Sequence, residues 1–192
     1  MAKSGKQSSA RSQPIAIELL ETDHRKVEAL FDEYEAEKDG DEDTKRSISE
    51  RVCKELTAHA QLEEELFYPW LRDNLEEDDM ELVEEALVEH AGAKDLIAQI
   101  EDATEIDDTY DAKVKVLSEY IKHHVKEEEE EIFPKVQDMK EELDTLGQEM
   151  HSRKAEIMEE LGMEAETDEE GSPAMAGRGK NGRGQPAARG TR

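Results

Sequence analysis

Two eleven-residue stretches, HAQLEEELFYP at 59–69 and HVKEEEEEIFP at 124–134, share one spacing. In each, a His is followed four residues later by a Glu (His59 and Glu63; His124 and Glu128) and ten residues later by a Pro (Pro69; Pro134). Residues four apart on an α-helix project from one face, so each stretch presents an imidazole beside a carboxylate. Glu, Lys, Leu and Ala dominate the chain and aromatics are only 4%, which favours helix and gives strands little support. An all-α fold follows, with half of a metal site written twice.

The rest of the chain supplies partners for these two helices. From Ile15 to about Lys38, Leu20, Val27, Leu30, Phe31 and Tyr34 recur at helical spacing, with His24 on the same stripe. A second helix is predicted from Asp43 or Thr44 through Ile48, Val52, Leu56, His59 and Leu62, ending or kinking at Pro69, with Trp70 and Leu71 covering the bundle end. A third runs from Asp78 or Asp79 to about Thr104, with His90 in phase with Val83 and Leu87. The fourth runs from about Asp108 to Pro134. Residues 136–163 form a further, weakly amphipathic helix that packs across the bundle or against a partner.

Short connections between successive helices favour an up-down-up-down antiparallel four-helix bundle. His24 and His90 follow their helix starts by about 10 residues, and His59 and His124 precede a proline by 10. At roughly 1.5 Å per residue, all four lie about 15 Å from one shared end. A single inward His is more often a hydrogen-bonded core residue than a ligand. Two inward Glu residues change that reading, because a buried, unpaired carboxylate is costly and a cation removes the cost. His24, His59, Glu63, His90, His124 and Glu128 are therefore read as metal ligands.

Imidazole with carboxylate, and no thiolate, suits iron, with manganese or zinc as alternatives. Two carboxylates among four histidines fit a pair of ions. If both are six-coordinate, four imidazoles, two bridging carboxylates and one oxo or hydroxo bridge leave about two positions open for O2, NO or peroxide. Among flanking candidates, His123 is read as a surface residue or a support behind the ligands and His151 as structural, while Glu64, Glu127 and Glu129 could tune or replace ligands but are explained more cheaply as a solvated face. Cys53, the single cysteine, excludes an internal disulfide and is read as a half-buried structural thiol.

The net charge of −27 is uneven. Eight Lys and Arg in residues 1–14 and 171–192, stretches without an acid, leave −35 between them. Such a body repels nucleic acid and anionic lipid and attracts cations. Residues 1–14 and 164–192 are expected to be disordered, the first basic and Ser-rich, the second Gly- and Arg-rich. No run reaches the roughly 20 apolar residues of a membrane span, and the N-terminus has no apolar h-region, so a cytoplasmic protein is expected.

His24, HAQLE (His59, Glu63), His90 and HVKEE (His124, Glu128), with F-Y-P and I-F-P after the two pairs, resemble the hemerythrin-like, HHE cation-binding domains. The match spans roughly residues 15–135. The resemblance implies a four-helix bundle around a non-haem di-iron centre, with His24 and His90 as terminal ligands and each H-x3-E pair giving one His and one bridging Glu. Two positions depart from the oxygen carriers of that family. Lys94 stands where they have a further His one turn beyond His90, and the last helix carries His124 and Glu128 where they have His followed five residues later by Asp. Lys94 is read as a surface residue in preference to a donor supporting the ligands.

Two functions follow, a domain that binds or senses O2, NO or iron, and an enzyme acting on peroxide or another small oxidant at the same open positions. A third reading is an acidic interaction bundle, with nucleic acid disfavoured by charge and the C-terminal helix or tail as the surface for a protein partner.

Overall fold

The computed structural model describes residues 13–37 and 40–163. Five long helices carry the fold, and among the described residues there is no strand. They are α1 (Ile15–Ala36), α2 (Glu42–Leu62), α4 (Met80–Glu101), α5 (Asp108–Glu127) and α7 (Lys140–Glu160); α3 (Tyr68–Asn74) and α6 (Phe133–Val136) are short extensions of α2 and α5. Of the tails read as disordered, 1–14 and 164–192, residues 1–12 and all of 164–192 lie outside the described residues, as does the first helix's expected end at Lys38.

Local chemistry sets the helix ends. Asp41 caps α2 by accepting from the Thr44 backbone N–H at 2.9 Å, so α2 starts just before the predicted Asp43 or Thr44. Asp107 caps α5 in the same way, accepting from Tyr110 N–H at 2.8 Å. The third long helix is shorter than predicted at both ends, because a 3-10 turn at Glu77–Asp79 occupies its expected first turn and Glu101 closes it. Gly162, with φ +66°, ends α7 in a left-handed residue, and Met163 N–H returns to Met158 carbonyl at 2.8 Å.

Neither Pro69 nor Pro134 stops its helix. A proline removes the hydrogen bond to the carbonyl four residues back and crowds it. The chain answers by widening the turn before each proline into a π-helical segment, Glu63–Phe67 and Glu128–Ile132. Tyr68 N–H then reaches Glu63 carbonyl, and Phe133 N–H reaches Glu128 carbonyl, both five residues back. The helix continues as α3 or α6 with proline in its first turn.

The core is two apolar clusters. One holds Leu20, Leu62, Val83, Ile132, Leu143 and Met150; the other holds Val27, Leu56, Ile97, Val114, Leu117 and Ile121. His24, His59, His90 and His124 fall at the boundary on their respective helices, as between Leu20 and Val27 on α1. α1 and α4 meet the first cluster and then the second, α2 the second and then the first, and α5 the second, its continuation through Ile132, Phe133 and Val136 reaching the first.

Helix α7 packs against α1 and α2, and its Leu143, Met150 and Ile157 are fully buried in the first cluster. Asp144 accepts from Ile15 N–H at 2.9 Å, satisfying a free donor at the start of α1. Gly147 lets the two backbones approach, since a Cβ there would lie 2.5 Å from Ala16 N. Of the two placements expected for this segment, packing across the bundle is the one observed.

Candidate metal centre

The π-helical turns decide which side chains reach the level of the imidazoles. In a straight α-helix a residue five positions on is rotated about 140° away. The wider turn brings it close to the face of its starting residue, so Tyr68 follows Glu63 inward and Phe133 follows Glu128. Both glutamates are 0% exposed, and the four histidines are buried at 2–6%.

Six side chains converge there. Ligand-type atoms of His24, His59, Glu63 and Glu128 lie within 4.8 Å of one another, and so do those of Glu63, His90 and His124. Glu63 belongs to both groups. Its Oε2 stands 3.2 Å from His59 Nε2 and 3.3 Å from His90 Nε2, while Glu128 Oε2 stands 3.2 Å from His24 Nε2 and 3.8 Å from His124 Nε2. Close as these atoms are, His24 Nε2, His59 Nε2, Glu63 Oε1 and Glu128 Oε2 have no correctly directed hydrogen bond. Buried polar atoms are nearly always satisfied. Lone pairs aimed at a common space are what a cation requires, so the donor set fits one.

Each imidazole is oriented from behind. His24 Nδ1–H donates to Glu129 at 2.9 Å, His90 Nδ1–H to Glu64 at 3.0 Å and His124 Nδ1–H to Glu89 at 2.8 Å. His59 Nδ1 faces Asp23 Oδ2 at 3.6 Å, beyond hydrogen-bond distance. A carboxylate can only accept, so these contacts place the proton on Nδ1 and leave the Nε2 lone pair for the centre. Cations hold three of the carboxylates in turn: Arg25 on Glu129, Lys94 on Glu64 at 2.6 Å, and Lys154 of α7 on Asp23.

Electrostatics of the metal-free centre follow from this crowding. Burial alone lowers the His24 pKa, but the facing Glu128 carboxylate and the hydrogen-bonded Glu129 outweigh it and raise the value to about 10. His124 behaves alike, with the Glu128 charge and the Glu89 hydrogen bond raising it to about 9 against burial. Glu128 is held well below the usual carboxylate range, because the charges of His124 and His24 overcome its desolvation. Without metal, protons stand in for cations.

Beside the imidazoles lies a cavity of about 20 Å3, lined by all four of them, by Lys94 and by aliphatic side chains of the second cluster such as Val27, Leu56, Ile97 and Ile121. One small molecule fits such a volume.

Among the flanking candidates, Glu64 and Glu129 are half-buried partners of His90 and His24, which matches the tuning role rather than the cheaper solvated face. Lys94, read as a surface residue, is exposed but grips Glu64. His123 is exposed, 3.1 Å from Glu127 and 3.6 Å from Glu89, and His151 is exposed on α7. Cys53 is fully buried, which pushes its thiol up to about 12. Sequence reasoning missed Asp23, Glu89 and Tyr68. A signal existed for the first two: an acid precedes each isolated His, as Asp23-His24 and Glu89-His90.

The hemerythrin HHE cation binding domain model matches residues 15–136, most of the chain. The chain belongs to the hemerythrin HHE cation-binding family. With the His and Glu groupings just described, it is a metal-binding, hemerythrin-like protein. This hemerythrin-like chain is also similar to a protein named DNA nickase from Nostoc sp. (strain PCC 7120 / SAG 25.82 / UTEX 2576), at 29% identity over 153 residues. That alignment covers 77% of this chain but only 41% of the relative's length. No solved structure matches the chain significantly. No helix among the described residues is long and apolar enough to cross a membrane.

Proposed function

We propose that this hemerythrin-like protein holds two iron ions through His24, His59, Glu63, His90, His124 and Glu128 and binds or senses a diatomic gas, O2 or NO, beside them. The observation that carries this reading is the cavity of about 20 Å3, lined by the four imidazoles and aliphatic chains. Its size and largely aliphatic lining suit a small, weakly polar molecule. Iron, when bound, would supply redox chemistry and open coordination positions; this chain's residues orient the ligands, exclude water and hold protons on the Nδ1 atoms. The alternating order of the two clusters along α1, α2, α4 and α5 with its continuation supports the up-down-up-down arrangement of the 15–135 bundle, with the 136–163 helix as an added wall. A cytoplasmic setting belongs to the same reading.

An enzyme acting on peroxide is the second reading, favoured by Tyr68, a proton-bearing group at the edge of the centre. DNA nicking, from the relative's name, is a third. The net charge of −27 opposes it, and more than half of that relative lies outside the alignment.

Metal analysis of the purified chain and of His59→Ala tests the centre, with about two irons per wild-type chain and a loss in the variant expected. Mixing the reduced protein with O2, NO and then peroxide under optical observation tests the function. A reversible gas-bound spectrum supports binding, whereas O2 evolution from peroxide shifts the reading to the enzyme. Full iron loading of His59→Ala would overturn the ligand shell.

A further inference from the structure

At one buried position the two copies of the repeat differ in polarity. Five residues after Glu128 stands Phe133, whose ring lies parallel to that of His24 with centroids 6.1 Å apart and brings no polar atom. Five residues after Glu63 stands Tyr68, 1% exposed. Its hydroxyl oxygen lies 3.0 Å from Glu128 Oε1, 3.2 Å from His90 Nε2 and 3.4 Å from Glu63 Oε2.

One phenol proton cannot serve three acceptors. His90 already gives its Nδ1 proton to Glu64, so its Nε2 faces the hydroxyl with a lone pair, and His124 Nε2 lies only 3.1 Å beyond. Two atoms bound to one cation at about 2.1 Å and at right angles stand roughly 3.0 Å apart. The 3.0–3.4 Å spacings around the Tyr68 oxygen are within hydrogen-bond range and match equally the separation of atoms sharing a coordination sphere. The two groupings also differ in number: His24, His59, Glu63 and Glu128 make four, while Glu63, His90 and His124 make three.

We propose that Tyr68 is a further metal ligand, completing the His90/His124 pole through its hydroxyl oxygen. The O–H bond breaks as the oxygen–metal bond forms, and the proton leaves to bulk water. The phenolate so formed is a hard oxygen donor that favours a trivalent ion at this pole over the one closed by Phe133. The inference rests on the metal-centre reading proposed above.

The test loads the full chain, wild type and Tyr68→Phe, with iron(III) and records iron content, the visible spectrum and resonance Raman spectra of protein grown with ring-deuterated tyrosine. A phenolate-to-iron(III) absorption band is expected, with ring vibrations that shift with the label. Tyr68→Phe should lose the band and bind its second iron about tenfold more weakly. Wild type that holds two irons without tyrosine vibrations under its visible absorption overturns the assignment, and so does Tyr68→Phe with an unchanged spectrum and iron content. The Raman arm needs wild type alone, so a poorly folding variant does not block the answer. Wild type that takes up no iron overturns the metal-centre reading itself.

Discussion

At the His24/His59 pole a phenyl ring, Phe133, closes the centre, and the carboxylate behind His59 stands 3.6 Å off, its other oxygen taken by Lys154. At the His90/His124 pole a phenol replaces the phenyl, and both imidazoles are gripped from behind, at 3.0 and 2.8 Å. The repeat thus writes the His and Glu pairs and the π-helical turns twice, while single residues in and around it make the two poles unlike. The carboxylates behind the rings follow the same two-fold logic. Asp23 and Glu89 serve the H-x3-E histidine of their own half, while Glu64 and Glu129 cross to the isolated histidine of the other.

The largest effect should come from the residue the poles share. Glu63→Gln keeps the size of the side chain but removes the charge that faces both groups. Metal affinity should fall more than a hundredfold at both poles, read as loss of both ions on dialysis, a scale above the 10–100-fold of outer carboxylates. Retention of one ion by Glu63→Gln would show that the poles load independently.

Smaller effects should rank with the orienting contacts. Glu129→Gln removes the charge from the acceptor 2.9 Å behind His24 and should weaken metal binding about 10–100-fold. Asp23→Asn, across a 3.6 Å gap, should cost less than tenfold. Competitive metal titration of the two variants checks the order. The reverse order would mean that Asp23 closes on His59 once metal is bound and that the difference between the poles vanishes in the loaded protein.

The level of the four histidines was legible because it needs only 1.5 Å per residue and two prolines at equal distance. The inward stripes were legible for the same reason, since Leu20, Val27, Leu56, Val114 and Leu117 obey a 3.6-residue period and are all buried. Tyr68 was not. Its inward position exists only because the turn from Glu63 is five residues wide, and an α-helical template points it away. Reading Pro69 as an end or kink and Pro134 as the point its helix reaches gave no sign of that wider turn, although a proline follows each one. Lys154 was hidden differently: its contact with Asp23 spans 131 residues and depends on where α7 docks, which no local pattern encodes.

The smallest expected effect is on pH dependence, and it draws one imidazole from each pole. In the metal-free protein His24 is raised to about 10 and His124 to about 9, from an ordinary 6.5, by the facing Glu128, Glu63, Glu129 and Glu89. A histidine whose folded pKa exceeds its unfolded one contributes stability that is complete below pH 6.5 and disappears as pH climbs through the folded value. The melting temperature of the metal-free protein should therefore fall between pH 6.5 and 9. Cys53, up at about 12 in the fold, adds a loss of the same sign only above its ordinary 9, so the lower window isolates the imidazoles. The loaded protein should show the opposite slope, because metal needs the Nε2 lone pair and acid competes for it. The gap between loaded and metal-free melting temperatures should widen steadily with pH, and His124→Gln and His24→Gln should each remove part of the metal-free slope. A metal-free melting curve that stays flat from pH 6.5 to 9 would mean that neither pole holds its proton, and that the buried carboxylates are neutralised in some other way.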